Sequence, residues 1–390
     1  MAKKKILAQQ IAVFGESGSG KTVLLSSFYG AMKAAENNTD KLFRVLARDS
    51  AQGVSLYQNY LGMKNSNRAP DTTRFESVTY SFDVKLKGTA NTPSKKPKHF
   101  DALQLDWHDY PGQWFEQDPS GAVETKRRVD TFKSLLGSDV ALLLVDAQRL
   151  LDNAGGEERY LKSLLSTFST GLIKLKDDLL TNGEPLVRFP RIWVIALSKA
   201  DLLPDLNVEK FRDLVIEKAG GDLNGLRTVL SEFIVGKTAL SVGEDFVRIS
   251  SARFADEKIE VSKRIGVDLV LPMASMLPLE RHIGWAKDAH NRGKLAEYLL
   301  HRSGGAVAVA LALLMKKVNL PGPAGAILSV ITTLLPENLL DDATSFIEKQ
   351  QKEKNREALA AHDYLAATLS GFQMDLEQGE KDLILITSAK

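Results

Sequence analysis

Residues 15 to 22 read GESGSGKT, and they combine the residue types that can wrap a backbone around a phosphate group. The spacing G-x-x-x-x-G-K-[ST] is met by Gly15, Gly20, Lys21 and Thr22. Glycines let the chain close around an anion with its N–H groups pointing inward, and the lysine can reach the outer phosphates. The threonine hydroxyl would bind the magnesium ion that accompanies a triphosphate. The predicted triphosphate cradle consists of Gly15, Glu16, Ser17, Gly18, Ser19, Gly20, Lys21 and Thr22.

The sequence on either side of this loop supplies the elements that would position it. The run IAVF (11–14) is continuously apolar, as expected of a strand buried on both faces. Residues 23–35 have helical apolar spacing and enough length for about three turns. Strand, glycine loop and helix in this order are typical of a phosphate loop (P-loop), whereas a glycine-rich turn without a ligand is the alternative. The helix beginning near Lys21 would add its positive dipole end.

A second group of candidate residues lies at the end of LQLDWHDYPGQW, residues 103–114, which reads as an alternating strand that ends in D-Y-P-G. Asp109 at its tip can hold magnesium through water, and the backbone N–H of Gly112 can contact a γ-phosphate. Gln113 comes next, where its amide can orient an attacking water. D-x-x-G alone is often a plain turn. It indicates a phosphate-sensing segment here because it ends what would be the third strand of a P-loop domain.

Two later strands end in loops that could read a base. In RIWVIALSKAD (191–201), the carboxylate of Asp201 can accept from the N1–H and the exocyclic amine of guanine, a donor pair that adenine lacks. The stem of Lys199 can lie along the base plane. The strand DFVRISSARF ends in a small loop, Ser250, Ser251 and Ala252, whose backbone could meet the guanine O6.

The set GESGSGKT, DYPGQ, SKAD and SSA, in this order and each at a strand end, resembles the P-loop GTPases of the Ras and translation-factor (TRAFAC) class over roughly residues 8 to 255. The resemblance implies a mostly parallel α/β P-loop NTPase sheet flanked by helices, which binds GTP or GDP with Mg²⁺. It further implies that Gln113 and Lys21 are catalytic and that Thr22 and Asp109 hold the metal. Beyond the P-loop, it assigns nucleotide contacts to Gly112, Ser198, Lys199, Asp201, Ser251 and Ala252. The motif spacing and the C-terminal region of this chain are similar to those of the larger bacterial members of the class.

The first switch segment is unusually long in this chain, at about 36–73. Its magnesium-binding and catalytic threonine should lie in APDTTRF, where Thr72 and Thr73 both qualify and Thr72 is preferred. Arg68 and Arg74 beside them are either arginines that assist hydrolysis in cis or solvated loop residues.

Within this segment, residues 48–65 have helical spacing with Tyr57 and Tyr60 on a shared face. Such an insertion is either a partner-binding element ordered by the nucleotide or a helix that only packs against the domain. The spacing alone does not separate the two.

The remainder of the chain predicts a helical C-terminal region, 303–390, after a P-loop domain of 1–302. Its two apolar runs, 306–315 and 324–335, are shorter than the roughly 20 residues of a membrane-spanning helix. They form either a buried helical hairpin or one that meets a membrane or an apolar partner. The short run LILI (383–386) can join a sheet edge, here or in a partner.

Composition excludes several other classes of function. A net charge of +2 over 390 residues gives no reason to expect a nucleic-acid partner. The chain has no cysteine, which excludes disulfides and thiolate chemistry. The start MAKKKILAQQ has no apolar core of signal-peptide length, so we expect a cytoplasmic location.

The sequence therefore predicts a Mg²⁺-dependent switch that binds and hydrolyses GTP and engages a protein partner through the first-switch insertion or the C-terminal region. Three alternatives stay open. One is a regulatory or structural module that holds a nucleotide with little turnover. An ATPase is permitted because Ser198 stands where the family motif N-K-x-D has asparagine. A membrane-associated GTPase is the third.

Overall fold

Apolar runs of the sequence form the strands of an eight-stranded sheet in the described part of the chain. The computed structural model describes residues 7–35, 43–70, 78–86, 102–109, 112, 114, 119–180, 183, 192–234, 240–255, 258–286 and 356–388. The described strands are β1 Leu7–Phe14, β2 Phe43–Ala47, β3 Val78–Leu86, β4 Ala102–Asp109, β5 Val140–Asp146, β6 Ile192–Ser198, β7 Ser241–Arg248, β8 Arg253–Ala255, β9 Lys258–Glu260 and β10 Leu385–Ile386.

The centre of the sheet is parallel, and its edges are antiparallel. The strand order is β10-β7-β6-β5-β1-β4-β3-β2, and β8 and β9 form a separate hairpin. Strands β7, β6, β5, β1 and β4 run parallel, whereas β3 is antiparallel to β4 and β2 to β3. Because parallel strands end at the same edge, the loops after β1, β4, β6 and β7 meet there. That edge is where the candidate residues were expected.

Helices cover both faces of the sheet. They are α1 Lys21–Ala34, α2 Ser50–Ser66, α3 Ala122–Leu135, α4 Ala147–Asp152, α5 Glu157–Leu179, α6 Val208–Ser231, α7 Val270–Ala286 and α8 Arg356–Lys381. Val13 belongs to the core that includes residues of α1, α2, α7 and α8, and Phe14 to the core that includes residues of α3, α5 and α6. Consecutive residues of one strand enter different cores because side chains alternate between its faces. This confirms that β1 is buried on both sides.

Two details extend the sequence interpretation. Strand β2, which the sequence interpretation did not identify, lies within the first-switch segment and pairs with β3 from Phe43↔Leu86 to Ala47↔Phe82. The short strand expected in LILI is confirmed as part of this chain's own sheet, since Leu385 pairs with Val247. The apolar runs 306–315 and 324–335 lie outside the described residues. Within the described ranges, none of the helices has the length and apolarity needed to cross a bilayer.

Candidate functional site

The P-loop joins the end of β1 to the first turn of α1. Gly18 and Gly20 have φ angles of 79° and 91°, in the left-handed region where side chains are disfavoured, and this allows the sharp turn. Lys21 opens the helix and is only 7% exposed. Its Nζ donates to the carbonyl of Gly15 at 2.7 Å and to that of Glu16 at 3.0 Å. The ammonium is therefore held against the start of the loop that would surround a phosphate.

The end of β4 lies directly beside this loop. The hydroxyl of Thr22 donates to Oδ2 of Asp109 at 3.1 Å, and Asp109 is 1% exposed. A Cβ on Gly112 would lie 2.3 Å from the backbone nitrogen of Ser17, so only glycine fits at this approach. The sheet thus brings the D-x-x-G segment onto the P-loop. Gln113, Thr72, Thr73 and Arg74 lie outside the described residues.

The hydroxyl and carboxylate at this point fit a magnesium ion. Hard oxygen ligands from a threonine and an aspartate are the kind that Mg²⁺ takes in phosphate sites, with water and substrate filling its other positions. Thr22 and Asp109 already face each other across 3.1 Å, at the start of the helix that follows the loop. A single Mg²⁺ ion could therefore be bound by both side chains.

The loop after β6 places Asp201 among donors from β7 and the β8–β9 hairpin. Its Oδ1 accepts from the hydroxyl of Ser250 at 2.6 Å, and its Oδ2 accepts from the N–H of Phe254 at 3.2 Å. A carboxylate has about four lone-pair sites, so each oxygen can still accept a bond from a ligand. Lys199, in the left-handed conformation at φ 53°, donates through Nζ to Oδ2 of Asp146 at 2.7 Å. These bonds fix the two side chains expected to contact a base.

The remaining predicted base-reading residues serve as anchors for these loops. The hydroxyl of Ser198 donates to the carbonyl of Val145 at 3.3 Å, which ties β6 to β5. The carbonyl of Ser251 accepts from the hydroxyl of Ser27 at 2.6 Å, which ties the loop after β7 to α1. The side chain of Ala252 is fully buried in a small core with residues of α2 and β9.

One cavity of about 290 Å³ connects the P-loop with the base-reading loops. At one end it is lined by Gly18, Ser19 and Gly20, and at the other by Lys199, Asp201, Ser250, Ser251 and Phe254. Ala69, just beyond the end of α2, contributes to its wall. Predicted residues from three separate loops therefore border the same space.

The helix in the first-switch insertion, α2, packs closely against α1. A Cβ on Gly30 would overlap the side chain of Tyr60, so Tyr60 of α2 packs directly on the backbone of α1. Tyr60 and Met63 lie in the small core that also holds Ala252. The insertion is thus joined to the loop after β7, and its end leads into the cavity at Ala69.

Sequence reasoning missed three residues of this region, Asp146, Arg149 and Phe254. It placed Ser250 in the base-pocket loop but did not find the bond of its hydroxyl to Asp201. Asp146 ends a buried apolar strand just as Asp109 does, which is the signal that could have identified it. Arg149 lies 3.3 Å from the Glu16 carboxylate and donates to the carbonyl of Ser17 at 3.4 Å. Arg68, the described one of the two arginines proposed to assist in cis, is exposed at the end of α2.

Burial shifts two titratable groups near the site. Desolvation lowers the pKa of His108, the neighbour of Asp109, although the charge of Asp106 opposes the shift. Its Nδ1 lies 3.0 Å from the hydroxyl of Thr79. Desolvation also raises the pKa of Tyr160, whose hydroxyl accepts from the N–H of Asp146 at 2.9 Å. Both side chains are therefore neutral at physiological pH.

No protein-family model and no curated protein sequence matches the chain. Among solved structures, nucleolar GTP-binding protein 1 from Plasmodium falciparum has 12% identity and a TM-score of 0.28, covering 81% of this chain and 98% of that one. The signal recognition particle receptor SRb–GTP/SRX complex from Chaetomium thermophilum has 17% identity and a TM-score of 0.30, covering 64% and 92%. Aquifex aeolicus Era bound to GDP and AlF₄⁻ has 14% identity and a TM-score of 0.28, covering 68% and 55%.

The expected fold is confirmed by the arrangement of elements. A mostly parallel sheet carries helices on both faces, and the P-loop stands between a buried strand and the helix that follows it. The chain therefore has a P-loop NTPase fold.

Proposed function

We propose that this protein binds GTP together with Mg²⁺ and hydrolyses it, and that it acts as a molecular switch. The observation that carries the proposal is the cavity shared by the P-loop and the loops of Asp201 and Ser251. Its phosphate end and its base end have complementary chemistry, with backbone N–H groups and a lysine at one and an acidic acceptor at the other. A nucleoside triphosphate is the ligand that needs both.

Guanine is the base that Asp201 fits. Its carboxylate can accept from the N1–H and the exocyclic amine together, while adenine would leave the acceptor without its donor pair. The bonds from Ser250 and Phe254 hold the carboxylate in place before the ligand arrives. Such preorganisation lowers the entropy cost of reading the base.

Thr22 and Asp109 would hold the magnesium ion, with Thr72 or Thr73 as a further ligand from the first switch. The bound ion neutralises negative charge on the β- and γ-phosphate oxygens. Lys21 contributes a fixed positive charge at the same place, and it is held there by two carbonyls of the P-loop.

Hydrolysis would proceed by in-line attack of water on the γ-phosphorus. The bond between that phosphorus and the β–γ bridging oxygen breaks, giving GDP and inorganic phosphate. Gln113 would orient the water, and Lys21 would stabilise the charge that develops in the transition state. The N–H of Gly112 would contact the γ-phosphate only while that group is present. Loss of this contact would release the second switch, the D-x-x-G segment of Asp109 and Gly112. A partner protein bound to the first switch or to 303–390 would sense the change.

The Asp201→Asn variant tests the nucleotide assignment. An amide can donate to the C2 oxygen of xanthine but cannot accept both donors of guanine. We therefore expect Asp201→Asn to lose affinity for GTP and to gain affinity for xanthosine triphosphate, with ATP weak in both proteins. Competition against a fluorescent nucleotide measures all three affinities. Equal affinity of the native protein for ATP and GTP would favour the ATPase alternative.

Turnover separates a switch from a module that only holds its nucleotide. We expect a single-turnover experiment with GTP to show phosphate release that requires Mg²⁺. GTP that stays intact on the native protein over hours would support the holding module instead.

A further inference from the structure

Phe254 is a large apolar side chain that the fold leaves partly uncovered at the base end of the cavity. It is 41% exposed, although phenylalanine usually lies inside a protein. It also lines the same cavity as Lys199 and Asp201. The exposed surface of the ring can therefore contact a ligand that is bound at the base end of the cavity.

The backbone of Phe254 is held in place from two directions. Its N–H donates to Oδ2 of Asp201 at 3.2 Å. It also pairs with Ile259 across the β8–β9 hairpin, and the N–H of Ile259 donates to Oδ1 of Asn67 at 3.0 Å. The hairpin is thus fastened both to the base-reading carboxylate and to the end of α2.

We propose that Phe254 is the residue on which the nucleobase stacks. This inference rests on the proposed function and adds a second contact of a different kind to it. Asp201 would read the edge of a purine, and the ring of Phe254, whose backbone N–H donates to the same carboxylate, would cover its face. The aliphatic stem of Lys199 is also available in the base end of the cavity. Aromatic stacking tolerates any base, because every base has a π-face.

Contact with the edge of the base and stacking on its face predict different patterns of affinity loss when each is removed. Phe254→Ala removes only the stack, so GTP and ATP affinities should fall by the same factor, about tenfold. Inorganic tripolyphosphate has no base, so its affinity should stay at the native value. The ratio of GTP to ATP affinity should also be unchanged, whereas Asp201→Asn changes that ratio.

Three further variants control for shape and for general surface effects. Phe254→Tyr keeps the ring and should bind like the native protein. Phe254→Leu keeps apolar volume without a π-face and should resemble Phe254→Ala more than Phe254→Tyr. Ile216→Ala removes another exposed apolar side chain, 49% exposed on α6, and should change no affinity.

Calorimetric titration with GTP, ATP and tripolyphosphate decides the proposal. Native affinity of Phe254→Ala for GTP overturns it, and so does an equal loss for tripolyphosphate, which would show a structural role. If the native protein binds tripolyphosphate but neither nucleotide, the proposed function fails and the stack fails with it. If GTP binds the native protein and Phe254→Ala equally, only the stack is overturned.

Discussion

The two ends of the cavity are built in different ways. At the phosphate end, Lys21 is bound to a carbonyl only six positions away, and glycine conformations shape the loop. At the base end, Asp201 is held by Ser250, 49 positions along the chain, and by Phe254, 53 positions along. The phosphate end is therefore a local structure made by contiguous residues. The base end exists only when β6, β7 and the β8–β9 hairpin are in register.

This difference has a functional meaning. A local backbone loop binds phosphate without regard to the base, so affinity for the triphosphate would come from the phosphate end. Selectivity would come from the base end, where one carboxylate has its orientation fixed by two donors. Variants at the two ends should thus separate affinity from selectivity.

The largest effect is expected from Lys21→Ala at the phosphate end. It removes a charge-assisted contact to the outer phosphates, so GTP, ATP and tripolyphosphate should all lose affinity, on the order of a hundredfold. Competition binding with the three ligands measures this. Lys21→Arg keeps the charge and serves as the control, while thermal denaturation checks that each variant folds.

A loss of affinity for nucleotides alone in Lys21→Ala would contradict the comparison of the two ends. If GTP affinity fell while tripolyphosphate affinity stayed at the native value, the lysine would act at the base end, and the division between the two ends would be wrong.

A smaller and different effect is expected from Ser250→Ala at the base end. Ser250 is 1% exposed, and its hydroxyl donates to Asp201 at 2.6 Å. Without that bond the carboxylate loses one of its two fixed partners, so the preference for GTP over ATP should fall about tenfold. Tripolyphosphate affinity should stay native.

Ser231→Ala is the matched control for this variant. Ser231 lies at the end of α6, and its hydroxyl donates to a carbonyl of the same helix. It should leave the affinities for all three ligands unchanged. An unchanged GTP preference in Ser250→Ala would show that Asp201 needs no help from β7.

The same contrast explains how far the sequence could be interpreted. The P-loop was predictable because its chemistry is written in eight consecutive positions, 15 to 22, between a strand and a helix with clear periodicity. The strands of the parallel centre were predictable because they are continuous apolar runs. The contacts of the Ser250 hydroxyl and of Phe254 with Asp201 were not found, because they depend on which strand ends become neighbours, and no local pattern encodes that.

Edge elements were hard to predict for a related reason. Strand β2, FRVLA, is only five residues long and is followed closely by α2, so its pairing with β3 decides its conformation. The helical spacing of α2 was clear, but the place where it packs depended on Gly30 of α1, which receives the ring of Tyr60. Tertiary contacts, not local propensity, decided the pairing of β2 and the packing of α2.

The smallest effect is a pH dependence of stability from His108, on the strand that carries Asp109. Burial lowers the pKa of its imidazole in the folded chain, while the unfolded chain keeps the ordinary value of 6.5. Between these two pKa values the unfolded chain binds a proton that the folded chain does not. The free energy of unfolding should therefore decrease as pH falls below 6.5, and this contribution is fully present above 6.5. Chemical denaturation at pH 8 and at about pH 5.5 measures the difference.

His108→Gln should reduce that pH dependence, because it removes the titrating group and keeps a polar side chain near Thr79. The chain has six histidines, and the other five are common to both proteins, so the change in slope isolates His108. Ser250→Ala, altered at the base end, should keep the native slope. A native slope in His108→Gln would mean that the imidazole is protonated as readily in the folded chain as in the unfolded one. The charge of Asp106 would then balance the effect of burial, and the end of β4 beside the P-loop would carry a positive charge at mildly acidic pH.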